Sequence, residues 1–452
     1  MRVLPALFAS RARLVGFLAG LFFFSLIFPA IVAASGDKSA IKTSNSGSRV
    51  SLEIYGSVAT REGQRLKLIT DLGNVVIRTR DTGKVDYHVH LEADASQKNA
   101  AQLLKNFAVN ASGNSEGVYF RGQAFGHQLR GRLWVTVELN VPRNYGLDVW
   151  TGGGNIESED VTGRVSLSTS GGNILAGNVG GSARLVTDGG HITVKNVGSE
   201  LAANTGGGHI TSGAVSGSAT LHTTGGHIRV ASVGGTARLD TGGGNITLEH
   251  SGGELVASTV GGQIEVGEAA GLVRAKTGGG GIRLVRLSGP TNLETVGGSI
   301  YLTQVDGSVR ASTGGGGITA WFVSSPKQPS TCDLQSADGD IVVYLPRQLA
   351  ATIDAQIQQA NEHHVIIDPA FSLKVSYDDA SNGSRRVRAE GALNGGGETI
   401  RLRTVAGNIR LVLSDSSKQV QLYKQQMEQI QQKLASQLRM IEHSLPGSDD
   451  RP

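Results

Sequence analysis

Three histidines of this 452-residue chain recur at a constant interval, because His191, His209 and His227 are each 18 residues apart. If one interval is one turn of a stacked structure, the imidazole rings lie about 5 Å apart along one edge. Neighbouring imidazoles can share a transition metal. The neighbouring repeats hold amides at the same place: Asn155, Asn173, Asn245 and Gln263. Since amides and imidazoles both hydrogen-bond to backbone, we predict that this ladder serves the turn, with a metal site as the alternative.

A second group of metal-ligand types lies nearer the N-terminus, on alternate residues of a predicted strand. Its members are Asp86, His88, His90 and Glu92. Alternation places these side chains on one face of the strand, where carboxylates and imidazoles could bind a metal ion. An exposed polar strand face gives the same residues without any function. We therefore predict no metal site and no cofactor site in the chain.

Signatures of catalysis are missing from the sequence. The glycine runs open strands and never precede Lys-Ser or Lys-Thr at a helix start, so they are not phosphate-binding loops. No Gly-x-Ser-x-Gly elbow in a strand-turn-helix context and no His-Glu-x-x-His helix occurs. We predict no catalytic residue and no enzyme activity.

The main enzyme alternative is a β-helix polysaccharide lyase or hydrolase, which would need acids clustered in a groove. The outward acids of the repeats are Glu157, Asp240, Glu265 and Asp306. They are scattered over three positions of the repeat, and long inserted loops that could wall a groove are missing between Thr151 and Thr319. This pattern disfavours the enzyme alternative.

The histidine interval is part of a strict 18-residue repeat. The motif Thr-x-Gly-Gly-x-Ile occurs ten times without insertion or deletion, with glycine at positions three and four and isoleucine at position six in every copy. Its threonines are Thr151, Thr169, Thr187, Thr205, Thr223, Thr241, Thr259, Thr277, Thr295 and Thr313. Apolar residues alternate at positions fifteen and seventeen and again at six and eight, which predicts two short strands per repeat with glycine at the corners.

One repeat cannot fold alone, because burying about five aliphatic side chains at ~1.5–3 kcal/mol each does not offset ordering 18 residues at ~1–2 kcal/mol each. The repeats must therefore stack, with each strand parallel to its equivalent one coil away. The fold class we predict is all-β, a parallel β-solenoid of about ten 18-residue coils. Because threonine falls on the inward alternation, we also predict a buried threonine ladder whose hydroxyls bond one another or backbone carbonyls.

The sequence divides into five segments. We predict a leader at 1–34, an N-terminal β-rich cap at 35–150, solenoid repeats at 151–345, a C-terminal β cap at 346–413 and a helical tail at 414–452. Caps are expected because an end coil would otherwise expose an unpaired strand edge. The tail has apolar residues at three-four spacing: Val420, Tyr423, Met427, Ile430 and Leu434, then Leu438, Ile441 and Leu445. It either lies on its own solenoid or loosely in solvent, or it forms a short coiled coil that makes the protein a homo-oligomer.

The first 34 residues have the layout of a secretory leader. Three arginines precede an uncharged run, 14–34, that ends in small residues. We predict cleavage after Ala34, while an uncleaved membrane anchor formed by 14–34 is the alternative. Both place the rest of the chain outside the cytoplasm, in the periplasm, on the cell surface or outside the cell.

Charge and cysteine content narrow the partners further. The formal charge is +4, but without the three leader arginines 39 basic residues face 38 acidic ones, so no nucleic-acid partner is expected. Cys332 is the only cysteine, so no intramolecular disulfide can form. We predict that Cys332 is an inert residue in a loop.

The stretch LWVTVELNVPRNYGLDVWTGGGNI at 133–156, the GGxI coils after it, and GGGETIRLRTVAGNIRLVL at 395–413 resemble a bacterial adhesin-like family of unknown function, domain of unknown function 4097. The resemblance covers about residues 51–413. It implies a secreted or surface β-solenoid, adhesive or involved in envelope stress, and it brings no catalytic residues.

We therefore predict a non-catalytic exported cell-envelope protein, a rigid adhesin-like solenoid for surface interaction or scaffolding. Its partner would be an envelope or surface ligand, protein or glycan. An envelope-stress sensor whose tail helix oligomerises is the second hypothesis, and the β-helix lyase or hydrolase is the third.

Overall fold

The computed structural model describes residues 40–46, 48–97, 99–125, 133–323, 331–360, 363–379, 384–414 and 416–444. The predicted leader at 1–34 lies outside these residues. Within them, no helix has both the length and the hydropathy needed to cross a membrane.

The N-terminal segment is a set of strands with one short helix. Its elements are β1 (Ala40–Ser46), β2 (Arg49–Ala59), β3 (Arg65–Thr70), β4 (Asn74–Arg80), β5 (Lys84–Asp94), α1 (Ala100–Leu104), β6 (Phe107–Asn114), β7 (Gly117–Ala124) and β8 (Leu133–Pro142). Strands β1, β2, β5 and β8 pair in that order as antiparallel neighbours, and β8 then pairs in parallel with β4. These strands therefore lead from antiparallel hairpins into a parallel stack.

The ten repeats form two parallel sheets. Sheet A contains β10 (Ile156–Ser158), β12 (Ile174–Ala176), β14 (Ile192–Val194), β16 (Ile210–Val215), β18 (Ile228–Val233), β20 (Ile246–Ser251), β22 (Ile264–Ala269), β24 (Ile282–Leu287), β26 (Ile300–Val305) and β28 (Ile318–Phe322). Sheet B contains β9 (Gly146–Thr151), β11 (Val165–Thr169), β13 (Ala183–Thr187), β15 (Leu201–Thr205), β17 (Ala219–Thr223), β19 (Ala237–Thr241), β21 (Leu255–Thr259), β23 (Val273–Thr277), β25 (Thr291–Thr295) and β27 (Val309–Thr313). The predicted parallel β-solenoid is confirmed.

Equivalent residues of successive coils lie beside each other. Ile192 pairs with Ile210, and Ile210 pairs with Ile228, and all three side chains are fully buried. In sheet B the pairing is equally regular, with Thr187 beside Thr205. The isoleucine row and the facing aliphatic residues of sheet B belong to one hydrophobic core that runs the length of the solenoid.

The predicted buried threonine ladder is also confirmed, with backbone groups as its partners. Thr205 Oγ1 donates to the carbonyl oxygen of Gly190 in the preceding coil at 2.7 Å. The same hydroxyl accepts a hydrogen bond from the Gly208 N–H of its own coil at 3.2 Å. The arrangement repeats from Thr169 to Thr313, so each buried hydroxyl is satisfied by backbone on both sides.

The two glycines of each corner have different reasons to be glycine. At position four, a Cβ would lie 1.9–2.1 Å from the carbonyl oxygen of the equivalent glycine one coil earlier, as for Gly226 above Gly208. At position three, as in Gly225, a Cβ would meet nothing closer than about 3.6 Å. Among the paired glycines only Gly154 has a positive φ. Close backbone approach at position four is therefore the constraint that the corner imposes.

Coil geometry extends beyond the ten strict repeats on both sides. Thr70 pairs with Thr151 and Val75 with Ile156, so the segment Thr70-x-x-Gly-Asn-Val forms a coil-like layer beneath the first repeat. At the other end Ser336 pairs with both Thr313 and Thr404. The stack thus continues through layers that the sequence repeats only in part.

The C-terminal strands complete both sheets. They are β29 (Cys332–Ser336), β30 (Ile341–Leu345), β31 (Ala351–Ile357), β32 (Val365–Ile367), β33 (Lys374–Asp379), β34 (Arg385–Leu393), β35 (Thr399–Thr404) and β36 (Ile409–Leu413). The prediction that Cys332 lies in a loop was wrong, because it is a buried residue of β29 beside Val309. Burial raises the pKa of its thiol well above the ordinary value.

Sheet A changes shape after the third coil. In coils one to three its strand has three residues, and the chain then turns at a corner where Asn178 N–H donates to Asp160 Oδ1 at 2.7 Å. From β16 onward the strand has five or six residues, which gives a flatter outer face. The last element, α2 (Ser416–Ser444), lies on this face and contacts sheet A from β26 to β16.

Candidate functional site

The histidines at position five form a stacked ladder along one corner. The ring centroids of His191 and His209 are 4.9 Å apart, and those of His209 and His227 are 4.8 Å apart. Each ring accepts a backbone hydrogen bond from the next coil: His209 N–H donates to His191 Nδ1 at 2.9 Å, and His227 N–H donates to His209 Nδ1 at 2.9 Å. The predicted backbone-bonding role is confirmed, although the bonded backbone belongs to the following coil.

The amides at position five accept the same hydrogen bond from the backbone of the next coil. Asn173 N–H donates to Asn155 Oδ1 at 2.9 Å, and His191 N–H donates to Asn173 Oδ1 at 2.8 Å. Beyond the histidines, Gln263 N–H donates to Asn245 Oδ1 at 2.9 Å. Because Asn and His supply the same acceptor at the same place, the alternation of the two residue types is explained by one structural task.

This bond fixes the protonation state of the imidazoles. A ring whose Nδ1 accepts a hydrogen bond carries its proton on Nε2. A metal ion at Nε2 would require that proton to leave or move to Nδ1, which would break the bond to the next coil. Burial, followed by the charges of neighbouring groups, lowers the pKa values of His209 and His227, so the neutral form is favoured.

The second predicted group lies on the outward face of β5, as the alternation indicates. His88 and His90 both hydrogen-bond to the carboxylate of Glu53 on β2, and His90 Nε2 lies 3.0 Å from Glu92 Oε1. Asp86 is instead paired with Lys84 at 2.9 Å. Three of the four predicted residues therefore enter one network.

Sequence reasoning missed two members of this network. Glu53 joins the two histidines, and Tyr55 stacks on His88 with ring centroids 4.4 Å apart. Both are on β2, and only the pairing register of β2 with β5 brings them together. Across the residues that the structure describes, no group of three or more His, Cys, Asp or Glu side chains is arranged to hold a metal ion.

The electrostatics of this network favour ion pairs. Burial alone would raise the pKa of Glu53, but the hydrogen bonds from His88 and His90 outweigh it and the pKa is lowered. Burial would lower the pKa of His90, but its bonds to Glu92 and Glu53 raise it. Both shifts favour the charged forms of Glu53 and His90, whose contact joins β2 to β5 and is a structural contribution.

Helix α2 is held on sheet A largely by polar contacts. The described hydrogen bonds are Gln419 Nε2 to Thr303 O at 2.9 Å, Thr303 Oγ1 to Gln426 Oε1 at 2.5 Å, Gln431 Nε2 to Glu249 Oε1 at 2.8 Å and Lys433 Nζ to Glu265 Oε2 at 2.6 Å. The partner of Gln419 is in β26, and the partners of Gln431 and Lys433 are in β20 and β22, so α2 runs back along the coils against their order.

A small apolar contact supplements these bonds. Met427 and Ile430 are buried against Val285 of β24, and Tyr423 packs beside them while its hydroxyl donates to Glu268. The interpretation that the tail lies on its own solenoid is therefore confirmed for this part of the helix. Of the other predicted apolar positions, Val420 is exposed, and the side chains of Leu434, Leu438 and Ile441 and all of Leu445 lie outside the described part.

The outward acids considered for catalysis are not brought together. Glu157 on β10 and Glu265 on β22 are six coils apart in sheet A, and Asp240 is in sheet B, where it pairs with His222 at 2.8 Å. Glu265 is bound by Lys433 of α2. Burial raises the pKa of Glu157, but no second carboxylate of the set lies beside it.

Comparison with known proteins gives a family match for part of the chain. No curated protein matches the chain. A solved structure described as a "putative cell adhesion protein" from Clostridium sporogenes ATCC 15579 aligns with 80% of this chain and 99% of its own, at 8% sequence identity and a TM-score of 0.16, and a TM-score this low supports no argument about fold or function. The family model Toastrack DUF4097 matches residues 64–270, which include the cap layer at Thr70 and the first coils. Residues 64–270, a little under half of the chain, are therefore similar to the Toastrack DUF4097 family, a β-solenoid family whose function is unknown.

Proposed function

We propose that this chain is a non-catalytic exported envelope protein whose solenoid presents a rigid, evenly spaced surface for interaction or scaffolding. The observation that carries the proposal is the constant register of the isoleucine and threonine rows, in which each residue lies beside its equivalent one coil away, together with the bond from each position-five side chain between Asn155 and Asn245 to the backbone N–H of the next coil. Three parallel rows of contacts resist bending and shear, so surface groups keep fixed spacing.

The absence of catalysis is supported by the surface of the repeats. Strands from β9 to β28 follow one another with connections of nearly constant length, and no inserted loop rises beside either sheet in this region. The outward acids are separated or engaged in ion pairs. An extended, regular surface suits binding better than turnover.

Export rests on the leader at 1–34. A tagged full-length chain should be recovered in the envelope or secreted fraction, and its N-terminus by mass spectrometry should begin after Ala34. The purified mature chain should sediment with envelope preparations and should release no reducing ends or unsaturated products from polysaccharides. Recovery in the cytoplasm, or turnover lost on Glu157→Gln, would overturn the proposal.

A second candidate, the sensor whose tail helix oligomerises, is favoured by the polar character of the α2 interface. Among the helix side chains that the structure describes, the apolar contacts centre on Met427 and Ile430, and the other described contacts are polar. Light scattering on the chain truncated after Ser414 tests it. A smaller oligomer than wild type supports the sensor, and an unchanged state removes it.

A further inference from the structure

The side chains at position five from Asn155 to Asn245 form a row, called the position-five row here. Their hydrogen-bond acceptors are used by the backbone of the next coil, and their donors are directed away from it. In Asn155, Asn173 and Asn245 the amide oxygen takes the N–H of the next coil, so the NH₂ group is directed away from that bond. In the histidines between them Nδ1 takes the same N–H, so the proton is on Nε2. Six consecutive coils therefore offer N–H donors along one edge.

These donors are accessible and unused. The side chains at position five of these coils are exposed, except for half-buried His227. None of the outward Nδ2 or Nε2 groups of the six residues has a hydrogen-bond partner within the part of the chain that the structure describes. The backbone bond already holds each side chain in place, so little conformational freedom remains to be lost on binding.

The space next to the row is open. The position-three glycines border it, and a Cβ on Gly171 or Gly189 would meet no atom within 4 Å. No side chain of this row can therefore block a ligand that lies along the corner. Six donors at the coil spacing form a straight row about 24 Å long.

The spacing selects the kind of chain that fits. The measured ring separations are 4.8–4.9 Å. An extended peptide directs carbonyls to one side only every second residue, about 6.6 Å apart, and a duplex strand repeats its phosphates every ~3.4 Å. Each sugar of an extended polysaccharide advances by about one ring length, close to one coil, so its carbonyl or carboxylate oxygens match the donors of every coil or, where successive sugars face opposite sides, of every second coil.

We propose that the position-five row from Asn155 to Asn245 binds an extended polysaccharide along the solenoid, its N–H groups donating to carbonyl or carboxylate oxygens of the sugars that lie in register with the coils. The inference rests on the proposed function and names its ligand class. Neutral sugars with N-acetyl carbonyls and acidic sugars with carboxylates share this chemistry.

The substitution that tests the row is Asn→Asp at two of its positions. Aspartate can keep the acceptor for the next coil, as Asp340 does at the same coil position, where its Oδ1 accepts from Asn408 N–H at 2.8 Å. The outward NH₂ donor becomes a carboxylate oxygen. The variant Asn173→Asp/Asn245→Asp therefore preserves the ladder and reverses its outer polarity. Asn204→Asp/Asn292→Asp on the outer face of sheet B is the control with the same charge change.

Isothermal titration calorimetry of the mature chain with chitohexaose and with hexamannuronate near neutral pH gives the readout. We expect one of these probes, neutral or acidic, to bind, its affinity to fall about tenfold or more in the row variant, and the control to stay within about twofold. Urea unfolding of both variants verifies the fold. Binding of neither probe, or equal binding by both variants, overturns the inference. If neither probe binds but the chain still sediments with envelope preparations, the ligand assignment is wrong and the proposed function is retained.

Discussion

The sharpest test of the coil geometry is Gly226→Ala, because position four has no room for a side chain. A Cβ on Gly226 would lie 1.9 Å from the Gly208 carbonyl oxygen, more than 1 Å inside the 3.0 Å limit that Cβ contacts observe, and 2.8 Å from His209 N. The two coils must separate locally to admit it. Overpacking of this kind costs ~1–3 kcal/mol, and weakening the Thr241 hydroxyl bond to Gly226 O adds ~1 kcal/mol, so the expected loss is about 2–4 kcal/mol.

Gly225→Ala is the matched control in the same turn. Its Cβ would lie 3.8 Å from the nearest atom, an ordinary van der Waals distance, and Gly225 does not have a positive φ. The substitution reduces the freedom of the unfolded chain, so we expect no loss, or a gain of ~0.4–1 kcal/mol. Both changes add one methyl group, and only the position differs.

Urea unfolding followed by far-UV circular dichroism measures the overall effect. Because repeat arrays can unfold in parts, hydrogen exchange with mass spectrometry on peptides that span residues 208–230 should locate it. For Gly226→Ala we expect faster exchange at the amides of Ile210 and Ile228. Equal midpoints and equal exchange for the two variants would refute the argument that close approach dictates glycine at position four.

Four further predictions concern other parts of the molecule. The pKa of His209 is lowered in the folded protein, so its contribution to the free energy of unfolding should be fully present above the unfolded value of 6.5 and be lost as the pH falls through the lowered value. His209→Asn keeps an acceptor for the His227 N–H and should make the stability less dependent on pH, as measured by urea midpoints at several pH values. Thr223→Val should cost about 2 kcal/mol or more because two backbone partners lose their bonds, and Thr223→Ser should cost less, as measured by urea unfolding. Cys332 should resist a thiol reagent in the native protein and react once it unfolds, and native reactivity would contradict its burial. Met427→Lys should speed exchange in α2, whereas Val420→Lys, at a side chain that is 46% exposed, should not.

Most of the fold could be predicted from the repeat in the sequence. A fixed interval of 18 residues with isoleucine and glycine at constant places leaves in-register stacking as the arrangement that buries every isoleucine, and the structure has that arrangement. The cap layer at Thr70 was missed because it stands 81 residues before Thr151, which is no multiple of the repeat, and has valine where the coils have isoleucine. A single imperfect copy gives no periodic signal.

The error about Cys332 comes from the loss of register after Ile318. The insertion over 324–330 made the next residues resemble a loop, although Cys332, Leu334 and Ser336 alternate inward as coil positions do. The network around Glu53 could not be predicted either, because it depends on which strand lies beside β5 and in which register. The alternation of polar and apolar residues predicts which side chains share a face of a strand, but it does not predict which strand lies beside it.

The position-five bonds and the threonine bonds share one property. In every coil the same kinds of group face the preceding coil and the same kinds face the following coil. Threonine reaches back to the preceding glycine carbonyl, while the position-five side chain takes the N–H of the coil that follows. A duplicated unit of 18 residues, as opposed to 17 or 19, would find matching edges on both sides. Gene duplication can therefore adjust the length of this protein in whole steps without redesigning any junction.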